Sequence, residues 1–132
     1  MFDKKLIESI ITKSKSEHWA YPKTFNALQG AGVEYYEVKI STHEINYYGN
    51  NESLVESPPL DFVPLEVAPT FDKETFIQHL RKHQINKTSY QDFLKDSANA
   101  GIYNYRVDMQ TRTVTYFGKN PAQSYIEKVP SI

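Results

Sequence analysis

His79 and His83 stand four residues apart in a segment of helical periodicity, a spacing that sets two imidazoles on one helix face as in some zinc sites. Between them lie Leu80, Arg81 and Lys82, which bring two cations and no carboxylate of the metalloprotease kind. A single pair lacks the third and fourth ligands of a metal site, so no metal and no other cofactor is expected. A second group is His18, Trp19 and Tyr21, where the indole can serve as a packing anchor or as a ligand contact. The third is four tyrosines, Tyr36, Tyr47, Tyr105 and Tyr116. Their shape suits cross-strand packing in a sheet, and their faces suit a groove that stacks on a flat ligand. The chain has no cysteine, hence no disulfide and no thiolate nucleophile. Its five glycines are too scattered for a phosphate loop, and no Ser–His–acid grouping shows in the local sequence, so no catalytic residue is assigned.

These residues sit in a sequence that matches itself. Ala31-Gly32-Val33 reappears 69 residues later as Ala100-Gly101-Ile102, and at that shift Tyr36, Val38, Thr42, Tyr47, Gly49 and Asn51 meet their own kind. Eight of 21 ungapped positions from Ala31 to Asn51 are identical, against about one or two for unrelated sequence of average composition. Phe2-Asp3-Lys4 likewise meets Phe71-Asp72-Lys73. The reading is a tandem duplication with units 1–69 and 70–132.

Each unit opens with an aspartate at a helix start, preceded by Phe2 or Phe71 and followed by Ile7 or Phe76 at the spacing of a hydrophobic staple. A shorter second helix follows, with Pro22 in its first turn and Phe25 and Leu28 inward in unit one. In unit two Thr88 or Ser89 caps it, and Phe93 and Leu94 face in. Glycines near 30–32 and at 101 stop these helices. Tyr36, Val38 and Ile40 then alternate with charges, as do Tyr105, Val107 and Met109, and return strands run to Gly49 and Gly118. Val63, Leu65 and Val67 alternate around Pro64, which reads as an edge strand closing unit one, with Tyr125–Val129 as its counterpart. The fold class expected is α+β: two ααββ(β) units about a pseudo-twofold axis in a single domain, 1–132, with an antiparallel sheet packed against helices.

Composition limits the partners. The 132 residues carry 15 basic and 16 acidic side chains, a net charge of −1, which counts against a nucleic-acid binder that relies on general electrostatic attraction. No apolar run has the roughly 18 residues of a membrane span, and Met1-Phe2-Asp3-Lys4-Lys5 does not open like a signal peptide. A cytoplasmic protein is therefore expected. Aromatic residues make up 14% of the chain, a richness that serves packing first and binding surfaces second.

The chain resembles a known family over nearly its whole length, most specifically from about residue 70 onward. Ala100-Gly101-Ile102, Tyr105-Arg106-Val107-Asp108, Thr111-Arg112-Thr113-Val114-Thr115-Tyr116, Phe117-Gly118 and Tyr125-Ile126-Glu127 are similar to the motifs of the YbcV-like proteins, often labelled phage envelope protein-like. Phe117 departs mildly, standing where that family more often has tyrosine. The resemblance implies a bacterial or phage origin and a domain of unknown function, and it brings no activity with it.

The function expected is a non-enzymatic binding or assembly module, acting as a homodimer or on another protein through the proline-interrupted strand. One alternative is a small hydrolase-like enzyme at the junction of the two units, around His18, Trp19 and Tyr21. Another is nucleic-acid binding by tyrosine stacking. As candidate ligand contacts, His18, Trp19, Tyr21, Tyr36, Tyr47, Tyr105 and Tyr116 carry these expectations.

Overall fold

Two aspartates start the two longer helices. The Leu6 amide donates to Asp3 Oδ1 and the Thr75 amide to Asp72 Oδ1, each at 3.1 Å, satisfying a donor that the first turn otherwise orphans. In the computed structural model, which describes residues 2–19, 21–58, 62–86, 90–120 and 122–128 (without the side chains of 21, 84–86, 90 and 91), these helices are α1, Lys4–Ser16, and α3, Lys73–Asn86. The shorter ones are α2, Tyr21–Gly30, and α4, Tyr90–Asn99. The positions proposed for the second cap, Thr88 and Ser89, lie outside the described residues. Each long helix is tied back to the end of the short one: Asp3 N–H donates to the Ala31 carbonyl at 2.9 Å and Asp72 N–H to that of Ala100 at 2.8 Å.

Six strands form one antiparallel sheet. They are β1 Tyr35–Lys39, β2 Ile45–Gly49, β3 Glu52–Glu56, β4 Asn104–Asp108, β5 Thr113–Phe117 and β6 Ser124–Lys128, in the order β3-β2-β1-β4-β5-β6. The central pair, β1 and β4, sets Tyr36 opposite Val107 and Val38 opposite Tyr105. Ile40 N–H donates to the Tyr103 carbonyl at 3.0 Å, and Met109 N–H to that of Glu34 at 2.9 Å. Alternation does what period two requires. Tyr36, Val38, Tyr105 and Val107 are buried with Ile7, Phe25, Phe76 and Leu94 of the helices, in a core cluster that takes residues from both halves of the chain. Tyr35, Glu37, Lys39 and Arg106 point the other way, to a face that is half-buried or exposed. Leu6 is 44% exposed and stands outside the buried stripe of α1, which is Ile7 and Ile10. No helix among the described residues is long and apolar enough to cross a membrane.

One expected element is displaced. The strand closing the first half is Glu52–Glu56 and not Val63–Val67, which forms no strand. Asn50 and Asn51, at φ 49° and 61°, make a two-residue turn of the kind that matches the twist of a hairpin, so β2 turns straight into β3 with Gly49 opposite Glu52. The later segment is held instead by single bonds, Leu65 N–H to the Ser41 carbonyl at 2.8 Å and Ala68 N–H to that of Ala98 at 2.9 Å. Proline at 64 has no amide to add to a ladder. The unpaired edges of the sheet are therefore β3 and β6.

Candidate functional site

Between the helices and the sheet of the first half lies a cleft of about 290 Å³. Its floor is Tyr36 and Val38 of β1, Ile45 and Tyr47 of β2, and Tyr105 of β4. Helix α1 adds Ile11, Ser14 and Lys15, and α2 adds Thr24 and Leu28. His43, on the β1–β2 turn, and Glu56, at the end of β3, supply its remaining polar groups.

The cleft exists because two small side chains stand where the second half has large ones. Thr24 is the fourth residue of α2, and the fourth residue of α4 is Phe93. Ser14 is the eleventh residue of α1, and the eleventh of α3 is His83. In the second half the Phe93 ring lies edge-on, 6.5 Å from Tyr105 and 6.4 Å from Tyr116, with the His83 ring 5.7 Å away. His83 Nε2 meets Asp96 Oδ2 at 2.8 Å, and His79 Nδ1 approaches the same oxygen at 3.5 Å. The histidine pair is thus gathered on one carboxylate, and no group of three or more such side chains among the described residues is placed to hold a metal ion. In the first half Ser14 Oγ is turned onto its own helix, donating to the Ile11 carbonyl at 3.0 Å.

Polar chemistry gathers at one end. The Tyr47 hydroxyl donates to Glu56 Oε1 at 2.7 Å, and Lys15 Nζ pairs with Glu56 Oε2. The Glu56 side chain is 14% exposed and that of Lys15 61%, so the carboxylate is the fixed partner and the ammonium the loose one. His43, at φ 60°, has its ring 5.6 Å from Phe62. Burial pushes its pKa below the ordinary imidazole value, with Lys15 adding to that effect and Glu56 opposing it. Near neutral pH the ring is an uncharged donor and acceptor.

Three of the seven residues proposed as ligand contacts, Tyr36, Tyr47 and Tyr105, meet in this cleft. Tyr116 does not. It packs 4.6 Å from Phe76 and 6.4 Å from Tyr125 on the second half. His18 is exposed on the turn leaving α1, at φ 53°. Trp19 is half-buried against the core, donates from Nε1 to Glu17 at 3.0 Å and carries the Lys23 ammonium 4.2 Å from its ring. The side chain of Tyr21 lies outside the described residues. Ser14, Lys15, Thr24, His43 and Glu56 were not singled out by residue type, since none forms a recognisable motif. The signal for Ser14 and Thr24 is their difference from His83 and Phe93, 69 residues on, whereas Glu56 carries no such signal, since its counterpart by strand register is another glutamate, Glu127.

A two-layer α+β protein with an apolar cleft under paired helices is the class that fold and site define. Within that class the family is clear: residues 8–128 match the family described as "Protein of unknown function (DUF1398)", and the chain belongs to it. It is 31% identical over 116 residues to an uncharacterized protein of Mycobacterium bovis, a match spanning 85% of this chain and 68% of that one. Uncharacterized proteins of two Mycobacterium tuberculosis strains match to the same extent.

Proposed function

We propose that this chain is a non-enzymatic binding module, a single domain (1–132) made by tandem duplication of one ααβββ unit about a pseudo-twofold axis, whose first unit (1–69) takes a small ligand in its cleft. Duplication is supported by bonds that recur 69 residues apart. Asp3 to Ala31 has its counterpart in Asp72 to Ala100, and Glu34 to Tyr48 in Tyr103 to Phe117. The observation that carries the binding reading is the replacement of Phe93 and His83 by Thr24 and Ser14 at matched helix positions, which leaves space over a preserved pair of tyrosines. A hydrolase centred on His18, Trp19 and Tyr21 draws no support from an exposed His18 or from an indole engaged by Glu17, Lys23 and the core. Tyr36, Tyr47, Tyr105 and Tyr116 lie on the helix-covered face of the sheet, which is no open platform along which a strand could lay successive bases.

The test is a titration with toluene followed by amide chemical shifts. Saturable changes at Ser14, Thr24 and Tyr36 are expected, and Thr24→Phe abolishes them while raising stability by roughly 0.5–2 kcal/mol, as cavity filling commonly does. Shifts that persist unchanged in Thr24→Phe, or that never saturate, remove the cleft from consideration.

The outer face of the sheet favours a second reading, assembly as a homodimer. Val55 on β3 and Ile126 on β6 are 52% and 61% exposed at opposite edges of that face, and a stacked Tyr35–Tyr48 pair with ring centroids 4.7 Å apart lies on the strands between them. Glu37 and Arg106 face each other across the central strands at 3.2 Å, so a second copy laid face to face can set each Arg106 on the other's Glu37. Light scattering supports this reading with a dimer mass of about twice the 15.3 kDa chain and ends it with a monomer at high concentration.

A further inference from the structure

The ends of the ladders fix which way each strand bonds. Ile40 N–H donates to the Tyr103 carbonyl and Met109 N–H to that of Glu34, so Val38–Tyr105 and Tyr36–Val107 are hydrogen-bonded pairs of β1 and β4. Alternation then turns Asn104, Arg106 and Asp108 towards β5, and Val114 and Tyr116 towards β6. The bond from Gly118 N–H to the Gln123 carbonyl, at 2.9 Å, agrees. On β6, Tyr125 and Glu127 therefore bond to β5, while Ser124, Ile126 and Lys128 aim their N–H and C=O groups off the end of the sheet. Among the described residues no strand pairs with them there. The same alternation, set by Lys39 N–H on the Glu44 carbonyl at 3.0 Å, leaves Ser53 and Val55 of β3 facing outward at the other end.

A bare edge is a template for another strand, and its side chains decide which one. Strand β3 paired with itself along its full length sets Glu52 of each copy opposite Glu56 of the other, like charges that destabilise the pair. Strand β6 paired with itself turns about Ile126. Ser124 then meets Lys128, Tyr125 meets Glu127, and Ile126 meets its own copy, so no like charges oppose. This register also brings all three outward-facing residues into hydrogen-bonded pairs, and the two isoleucines, each 61% exposed, cover one another on the outer face. On the helix face Arg81 already holds Glu127, and it donates to the Tyr125 hydroxyl at 3.2 Å, which fixes both side chains before a second copy arrives. We propose that β6 is a self-complementary edge: two copies join by antiparallel pairing of β6 about a twofold axis at Ile126, making their two six-stranded sheets one. This interface is separate from the cleft and from a face-to-face contact over Glu37 and Arg106.

A five-residue edge is smaller than the roughly 1,600 Å² of a standard interface, so the dimer is expected to be reversible. Amide hydrogen exchange and light scattering between about 1 μM and about 1 mM test it, a range that covers weak association. Exchange at Ser124, Ile126 and Lys128 is expected to slow about ten-fold at the upper end, as about nine-tenths dimer allows, while the mass doubles. Ile126→Pro removes the N–H at the axis and spares the β5 ladder, a place where edge strands tolerate proline. Ile126→Lys keeps every amide and sets two ammonium groups together at the axis. Both variants are expected to stay monomeric, with exchange at positions 124 and 128 independent of concentration and the remaining amide spectrum unchanged. Arg106→Ala is expected to dimerise like wild type. A folded Ile126→Lys chain that dimerises as wild type does overturns the proposal. A dimer that Arg106→Ala disperses, with no slowing at the three amides, is the face-to-face one and overturns the edge pairing alone. A monomer at about 1 mM overturns both.

Discussion

Replacing Gly101 with valine is expected to destabilise the protein by roughly 3–5 kcal/mol, the combined cost of a left-handed backbone under a β-branched residue and of overpacking. Gly101 ends α4 at φ +84°, in the region that side chains with a Cβ rarely adopt. A Cβ built there stands 2.1 Å from the Thr70 carbonyl oxygen and 2.9 Å from Phe71 Cα. Both are backbone atoms of the segment that leads into Asp72, whose amide is bonded to Ala100 next door. No rotamer relieves such a contact. The strain must therefore reach the start of α3, and Gly101→Ala is expected to share most of the effect. Urea unfolding checks it: a midpoint close to wild type for either variant contradicts the close approach of the two segments.

Phe93→Thr is expected to lower stability by about 2–4 kcal/mol, somewhat less than full Phe→Ala losses because the ring is only half-buried. For a chain of 132 residues that corresponds to about 10 °C in Tm. The ring touches Phe76, Tyr105, Tyr116 and His83, with centroids 5.7 to 6.5 Å away, so its removal leaves four aromatic neighbours facing a void. A second consequence follows from the matched helix positions of Thr24 and Phe93. The variant should bind toluene at two sites, the new one bounded by Tyr105 and Tyr116. A variant that loses stability but still binds a single equivalent would mean that the second half collapses around the missing ring.

Local patterns were legible wherever one residue's chemistry decides the conformation. Asp3 and Asp72 announce helix starts because a short carboxylate is the natural partner of free amides. The alternation at Tyr36–Ile40 and Tyr105–Met109 announces strands because one face must be buried. Strand β3 escaped the same logic. In Glu52–Glu56 only Leu54 and Val55 are apolar and they point to opposite faces, so the pattern carries little signal, and its real cause is the turn at Asn50–Asn51. The segment around Pro64 imitates a strand, yet Val63 is 75% exposed and only Val67 is buried. The candidate site divides in the same way. Tyr36, Tyr47 and Tyr105 stood out because they recur, whereas the cleft they line arises where recurrence fails, at Thr24 against Phe93 and Ser14 against His83. Empty space depends on volumes summed over two helices and a sheet, and no single position records it.

Xenon taken up by crystals of the protein under pressure tests the cleft most directly, since the gas settles in apolar space without needing any particular polar group. The account predicts a site beside Thr24, Tyr36 and Tyr47, and none around Phe93. Xenon bound near Phe93 and absent beside Thr24 contradicts it.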